Sequence, residues 1–116
     1  MAAGKDRMGR PVVVVTGLGV VTSLGAGKSD NWAKLAGGES GIKTITRFPT
    51  DGLKTRIAGT IDYLPAQDTA AALTESFANL AAEEAISQSG LGSAGNFPGP
   101  LFLAVPPIEM EWPQRL

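Results

Sequence analysis

The chain has 116 residues, of which 43% are hydrophobic and 18% charged, and its formal net charge is −1. This composition is typical of one soluble globular domain and excludes a disordered chain or a basic nucleic-acid-binding protein. Cysteine and histidine are both absent. The sequence alone therefore cannot supply disulfides, thiolate metal sites, or Ser-His-Asp and Cys-His catalysis.

The N-terminal residues 1–10 are polar and predict a flexible lead before the domain. They contain no apolar core of a signal peptide, and the valine run Val12–Val15 is too short to cross a membrane. We therefore expect no membrane association and a cytoplasmic location.

A β-branched run, Val12–Thr16, is the first predicted element. An uninterrupted apolar run of this length favours a strand that is buried on both faces of a sheet. Gly17 and Gly19 follow it, and we interpret them as residues that end the strand and let elements pack closely.

A short helix is predicted next, with Ser29 as its N-cap and Asp30 at the positive end of its dipole. Its apolar stripe consists of Trp32, Leu35 and Ala36. The spacing favours a packing role for Trp32 over a ligand contact. Gly37 and Gly38 are predicted to end the helix, and Lys28 is interpreted as a solvated or snorkelling lysine at its start, not as a phosphate anchor.

The segment 41–64 predicts two short extended stretches on either side of a turn at Pro49–Gly52. Residues 65–69 are interpreted as a linker.

The pattern over Ala70–Ser89 predicts a long helix, capped by Asp68 or Thr69 and ended by a left-handed Gly90. Its apolar stripe comprises Leu73, Phe77, Leu80, Ala81 and Ala85, with Phe77 and Leu80 expected in the core. The neighbouring Glu83 and Glu84 are expected to face solvent.

A loop over residues 91–100 leads to a second apolar strand, Leu101–Val105, and prolines then argue against a regular strand in residues 106–116. The order of strand, helix, extended pair, helix and strand predicts an α/β fold. Two strands buried on both faces need more sheet neighbours and covering helices than these residues supply. We therefore expect the chain to be one end of a larger protein.

Two nucleotide-binding motifs are incomplete. A phosphate-binding loop that ends in Gly27-Lys28-Ser29 requires glycine at position 22, where the chain has Thr22. The dinucleotide fingerprint begins with Gly17-Leu18-Gly19 and also fails at Thr22. Glu39 lies at a suitable distance for a ribose contact but does not follow a second strand.

The segment "VVVVTGLGVVTSLGAGKSDNWAKLAGGESGI" resembles the opening of the β-ketoacyl-acyl carrier protein synthases. The resemblance rests on the valine run, Thr16–Gly19, a serine-glycine turn at Ser23–Gly27, Trp32, and Gly38–Ile42. It continues more loosely through "ITRFPTDGLKTRIAGTI", "FANLAAEEAISQSGL" and "LFLAV".

This resemblance implies a thiolase-like layered αβαβα fold, of which residues 11–116 form an incomplete N-terminal part. Family members are homodimers that condense an acyl thioester with malonyl-acyl carrier protein in fatty-acid biosynthesis, with loss of carbon dioxide. The cysteine and two histidines of that reaction lie beyond the resembling residues. We accordingly assign no catalytic, cofactor-binding or metal-binding residue and no cofactor, and expect the 116-residue chain alone to be inactive. The implied partners are acyl carrier protein and the remainder of the enzyme.

Two departures from the family pattern affect this interpretation. The segment 62–77, where the family has basic residues suited to an acidic carrier, contains Asp62, Asp68 and Glu75 and no cation. Either the carrier docks elsewhere, on residues such as Lys54 and Arg56, or the enzyme serves an unusual carrier. The proline-rich residues 106–112 replace a glycine-rich loop and are expected to reshape the acyl tunnel or the dimer contact. A non-catalytic chain-length-factor-like partner and a nucleotide-binding domain remain alternative functions.

Overall fold

The computed structural model describes residues 4–65, 69–93 and 95–104. Within these residues the fold is a small mixed α/β arrangement, as predicted, with two short antiparallel strand pairs and two helices. In chain order the elements are β1 (Val21–Thr22), β2 (Gly25–Ala26), α1 (Lys28–Ala36), β3 (Ile42–Thr44), β4 (Ile57–Gly59) and α2 (Ala70–Ser89).

Helix α2 has the bounds that the sequence predicted. The Thr69 hydroxyl accepts a hydrogen bond from the Ala72 N–H at 3.1 Å, which satisfies one of the free donors of the first turn. Gly90 ends the helix with φ +66°, the left-handed conformation that glycine adopts without steric cost. The alternative cap Asp68 lies outside the described residues.

Helix α1 begins at Lys28, two residues before the start at Asp30 that a Ser29 cap would give. Its N-cap is Gly27, so Ser29 already lies within the first turn and the prediction that Ser29 caps the helix was wrong. Asp30 lies in the first turn as predicted and forms a 2.9 Å ion pair with Lys34. The helix ends at Ala36 as predicted: the Gly37 N–H donates to the Ala33 carbonyl in the helical pattern, whereas the Gly38 N–H donates to the Leu35 carbonyl, three residues back.

The predicted extended pair is an antiparallel hairpin. Ile42 pairs with Gly59, Lys43 with Ala58 and Thr44 with Ile57, and the Ile45 N–H donates to the Arg56 carbonyl at 2.9 Å in the same register. The predicted turn closes this hairpin, where the Leu53 N–H donates to the Thr50 carbonyl at 3.1 Å. Gly52 has φ +79° and so supplies the left-handed residue that the turn needs.

A second strand pair, β1 with β2, was not predicted because each strand has only two residues. Asn31 of α1 stabilises this turn. Its side-chain amide donates to the carbonyls of Gly25 and Gly27, each at 2.8 Å, while its oxygen accepts from the Thr22 hydroxyl.

The prediction of a strand at Val12–Thr16, buried on both faces, was wrong for the described structure. The segment is extended but has no strand partner among the described residues, and its valines are 49% to 91% exposed. A strand satisfies its backbone groups through neighbours on both sides, and among the described residues this segment has only the bond from the Val12 N–H to the Gly4 carbonyl at 2.9 Å.

The second predicted strand, Leu101–Val105, also lacks a ladder over its described part, 101–104, and Phe102 is 89% exposed. This segment nevertheless lies beside the first one. A cavity of about 200 Å³ is bounded by Thr16, Leu101 and the C-terminal half of α2. A second cavity of about 370 Å³ is bounded by Val20, Leu103 and the N-terminal half of α2. The chain from Thr16 to Val20 and the segment 101–104 therefore both pass along α2 from its C-terminal half towards its N-terminal half.

No described hydrophobic side chain is buried, so the expected core is absent from this part of the structure. Phe77 and Leu80 are half-buried against the loop side of α2, and Trp32 is 70% exposed, which contradicts its predicted packing role. Neither helix in the described residues is long and apolar enough to span a membrane. Residues 105–116, including the proline-rich stretch, lie outside the described structure.

In the N-terminal residues, Asp6 organises a tight turn. Its carboxylate accepts hydrogen bonds from the backbone N–H groups of Met8 and Arg10 and forms a 2.7 Å ion pair with the Arg10 guanidinium. These contacts hold the pKa of Asp6 below its usual range. The predicted flexibility of residues 1–10 stays a prediction.

Candidate functional site on the glycine-rich loop

The glycines that resemble a nucleotide motif lie directly on the backbone of α2. A Cβ at Gly17 would collide with the carbonyl oxygen of Ala85, and one at Gly19 with the carbonyl oxygen of Ala81. Because these positions on α2 are one helical turn apart, the loop follows the helix at backbone distance. The interpretation that these glycines permit close packing is confirmed.

Glu84 of α2 binds the loop and the start of α1 together. One oxygen accepts from the Lys28 N–H at 2.8 Å and the other accepts from the Val20 N–H at 3.0 Å. Lys28 is the first residue of α1, so its N–H is one of the donors that a helix leaves without an internal partner. Glu84 therefore caps α1 from another helix, and the prediction that Glu84 faces solvent was wrong.

Lys28 and Gln88 extend this contact by one turn of α2. The Lys28 ammonium donates to the Leu18 carbonyl and to the Gln88 side-chain oxygen, each at 2.9 Å, and lies 3.7 Å from a Glu84 oxygen. The same Gln88 oxygen accepts from the Leu18 N–H at 2.8 Å. Lys28 is thus a structural cross-link and not the solvated lysine that we predicted. We call Lys28, Glu84 and Gln88 the loop clamp.

The electrostatics of the loop clamp favour the charged carboxylate. The hydrogen bond from the Lys28 N–H, followed by that from the Val20 N–H and the charge of the Lys28 ammonium, lowers the pKa of Glu84. Negative charge is also stabilised at a helix N-terminus by the aligned peptide dipoles. The protein's own carboxylate thereby occupies the position at which a phosphate-binding loop would hold an anion.

This occupancy argues against the nucleotide alternative. A phosphate-binding loop offers free N–H groups and a lysine to its ligand. Here the Lys28 N–H and ammonium both have partners within the chain. Glu39 lies just past the C-terminus of α1, where its N–H donates to the Lys34 carbonyl at 2.9 Å, and no parallel strand precedes it among the described residues.

Ser23 connects the β1–β2 turn with the β3–β4 hairpin. A Cβ at Gly41 would collide with the Ser23 hydroxyl, and one at Gly59 would lie 3.1 Å from it, so both glycines leave room for this side chain. Tyr63 also contacts the β1–β2 turn, because its hydroxyl donates to the Thr22 carbonyl at 3.1 Å. Partial burial raises the pKa of Tyr63.

An open apolar groove of about 770 Å³ separates α1 from the hairpin. Trp32 and Leu35 of α1 form one wall, Ile42 of β3 the other, and Leu18 and Leu24 its floor. The predicted stripe of α1 therefore exists as an exposed wall instead of a buried contact. Lys28 and Glu39 also line the groove, but the ion pair of Lys28 is with Glu84.

These contacts join the glycine-rich loop to both helices. The family model for the N-terminal domain of β-ketoacyl synthases matches residues 10–89, which include the whole loop clamp. The chain belongs to the β-ketoacyl synthase family.

Characterised relatives include both fatty-acid and polyketide enzymes. The chain is 51% identical over 47% of its length to 3-oxoacyl-(acyl-carrier-protein) synthase 2 of Coxiella burnetii. It is 33% identical over 67% of its length to 3-oxoacyl-(acyl-carrier-protein) synthase 1 of Haemophilus influenzae. It is 35% identical over 71% of its length to the tetracenomycin polyketide synthase ketoacyl synthase alpha subunit of Streptomyces glaucescens. The matches span 13%, 21% and 21% of those proteins, respectively.

The sequence predicted no catalytic, cofactor or metal residue, and the assignment stays a prediction. It missed the loop clamp, because Lys28 and Glu84 are 56 positions apart and no local motif connects them. The one available signal was the doubled Glu83-Glu84 on a helix whose other residues are mostly uncharged.

Proposed function

We propose that the chain forms the N-terminal scaffold of a β-ketoacyl-acyl carrier protein synthase. The whole protein would have the thiolase-like layered αβαβα fold and act as a cytoplasmic homodimeric acyltransferase of fatty-acid biosynthesis. The family match over residues 10–89 carries this proposal. The reaction is the decarboxylative condensation of an acyl thioester with malonyl-acyl carrier protein.

The chemistry of that reaction would reside in another part of the protein. A covalent mechanism needs a thiolate nucleophile, an oxyanion hole and imidazoles for the decarboxylation, and these 116 residues contain neither cysteine nor histidine. The described residues would contribute position instead. The loop clamp fixes the glycine-rich loop on α2, and the extended segments 12–16 and 101–104 would become strands once the remaining sheet covers them.

A chimeric enzyme tests this proposal. Residues 10–89 replace the matching segment of the Coxiella burnetii synthase, and condensation of acyl- and malonyl-acyl carrier protein is followed by mass spectrometry. We expect the chimera to be active and the 116-residue chain alone to be inactive. A chimera that folds and dimerises like its parent but condenses nothing would contradict the scaffold role.

A polyketide synthase subunit is the second candidate function. It is favoured by a 38% identity over 68% of the chain to a polyketide β-ketoacyl synthase 1 of Streptomyces cyaneus, which is itself named as putative. A 45% identity over 42% of the chain to the tetracenomycin ketoacyl synthase beta subunit extends this to a chain-length-factor-like partner. A parallel chimera in the tetracenomycin alpha subunit that outperforms the fatty-acid chimera would favour this candidate.

A further inference from the structure

The groove between α1 and the β3–β4 hairpin exposes apolar side chains that no described residue covers. Trp32 is 70% exposed, Leu35 61% and Ile42 56%, and all three line the groove. A single exposed apolar residue is ordinary on a protein surface, whereas several that line one concave surface mark a place where another segment binds. We therefore searched the chain for an occupant with an apolar face.

The last described residues pass beside this groove. Leu103 and Ala104 bound the cavity of about 370 Å³ together with Val20 and Val21, and Val20 also lines the groove. The residues that follow Ala104 therefore start next to the groove. Linking a segment to its site through a short connection gives an effective concentration on the order of 1 mM. A second copy of the chain at micromolar concentration does not reach that value, which favours the following residues as the occupant.

The sequence beyond Ala104 has an apolar face of its own. The stretch Ile108–Trp112 reads Ile-Glu-Met-Glu-Trp, so apolar and acidic residues alternate strictly. In an extended chain, alternate side chains point to opposite sides. Two prolines precede the stretch and one follows it. Proline fixes its own φ and disfavours a helical conformation in the residue before it, so the composition favours an extended segment with its three apolar side chains on one side.

The length of this apolar strip matches that of the groove wall. Residues 108–112 span about 13 Å when extended, and the nine residues of α1 span about 14 Å. We propose that residues 106–113, which we call the proline segment, lie in the groove with Ile108, Met110 and Trp112 against Trp32 and Leu35. Proline-rich extended peptides bind aromatic-lined grooves in this manner.

Fluorescence of the chain tests this docking, because Trp32 and Trp112 are its two tryptophans. The substitution Trp112→Phe keeps an aromatic ring in the proline segment and leaves Trp32 as the only reporter. Acrylamide quenches an exposed indole more strongly than a covered one. We expect acrylamide to quench Trp32 in this chain about threefold less than free N-acetyltryptophanamide, since a docked segment would exclude the quencher.

The alternating sequence supplies a matched pair of variants in the Trp112→Phe chain. Ile108→Gln/Met110→Gln removes the apolar face, and Glu109→Gln/Glu111→Gln introduces the same two residues on the opposite face. We expect the first pair to increase the quenching of Trp32 about twofold and the second to leave it unchanged. Circular dichroism verifies that both variants keep the helix signal of the parent. An equal change in both variants, or quenching as strong as in the free indole before any substitution, would overturn the docking.

The groove wall is tested from the other side with Trp112 as the reporter. In the Trp32→Phe chain, Leu35→Gln removes an apolar contact from the groove, whereas Ala33→Gln changes an exposed residue of α1 that does not line it. Glutamine is a good helix former, so α1 tolerates both changes. We expect Leu35→Gln to increase the quenching of Trp112 about twofold and Ala33→Gln to have no effect. Equal effects would reject the groove as the site.

Association of two chains through their grooves is the competing explanation for a covered Trp32. Protection by a segment of the same chain is equal at about 2 µM and about 50 µM protein, because the effective concentration is set within one molecule. Protection that grows with concentration, together with sedimentation as a dimer, would overturn the proline segment as the occupant. The inference does not rest on the proposed function, because none of these measurements depends on condensation.

Discussion

The glycine-rich loop and the valine segment are adjacent in sequence but differ in their contacts: the loop is hydrogen-bonded to the rest of the described structure, whereas the valine side chains are not buried by it. The loop from Gly17 to Lys28 has its polar groups bound by the clamp on α2. The segment Val12–Val15, only two residues earlier, leaves apolar side chains up to 91% exposed. Close polar contacts need only the two elements that form them, whereas burial of a strand needs a whole sheet and its covering layers.

Replacing the loop glycines by larger residues is expected to cause the largest loss of stability, because it disrupts the hydrogen-bonded region and not the valine segment. Gly17→Ala/Gly19→Ala places methyl groups against the α2 backbone and should cost about 1–3 kcal/mol or more, the range for overpacked sites. Urea unfolding followed by the helix signal measures this cost. Gly4→Ala is the control, because a Cβ there meets nothing within 4 Å. An equal loss of stability in Gly4→Ala would show that Gly17 and Gly19 do not pack closely against the backbone of α2.

Removing the α2 cap is expected to have an intermediate effect on the free energy of unfolding of the region that contains α2 and the loop. Thr69→Ala removes the oxygen that accepts from the Ala72 N–H and should cost about 1 kcal/mol. Thr69→Ser keeps that oxygen and should cost much less. The same urea measurement compares the two variants, and identical stabilities would contradict the role of the hydroxyl.

The charge of the loop clamp is expected to stabilise the chain near neutral pH and to lose this contribution at acid pH. Because the pKa of Glu84 is lowered in the folded chain, its contribution is present above the unfolded pKa of about 4.3 and is lost as pH falls through the lower folded pKa. Glu84→Gln should therefore lose less stability than the parent between about pH 5 and pH 2, while being less stable near pH 7.

Unfolding curves collected across that pH range compare Glu84→Gln with Glu83→Gln. Glu83 is exposed on the same turn of α2 and makes no contact with the loop. Its variant should follow the pH profile of the parent. A Glu84→Gln profile that coincides with the Glu83→Gln profile would remove Glu84 from the clamp.

The valine segment is expected to give the smallest effect on stability. Val13 and Val15 are 91% and 84% exposed, so Val13→Thr/Val15→Thr should change the free energy of unfolding of the chain by less than about 0.5 kcal/mol. In the chimera proposed above, where a sheet would bury these side chains, the same change should be strongly destabilising. A similar loss of stability in the chain and in the chimera would contradict the idea that the valine segment needs a surrounding sheet.

Local signals predicted the elements whose stability is local. The bounds of α2 follow from its helix-forming residues, the Thr69 cap and Gly90, all within one stretch of sequence. The hairpin follows from extended residues around Asp51 and Gly52. In each case the residues that decide the structure are neighbours along the chain.

Predictions that depended on distant partners failed. The apolar pattern at Val12–Thr16 predicts a segment that is buried in a sheet, but it does not identify the strands that would pair with it on either side. The loop clamp joins Lys28 to Glu84 across 56 positions, and α1 begins at Gly27–Lys28 because that distant carboxylate caps it. Ser29 was a reasonable cap on local grounds, and a tertiary contact replaced it.

The contact between Gly19 and Ala81 also limits which second substitutions can compensate for a larger residue at position 19. The atom that would obstruct a larger residue at position 19 is a main-chain oxygen, which every amino acid at position 81 would carry in the same place. Shrinking the neighbour therefore offers no relief. A genetic search for suppressors of Gly19→Ala should find no revertant at residue 81 or 85, and only restoration of glycine or a displacement of the whole helix would recover the parent phenotype.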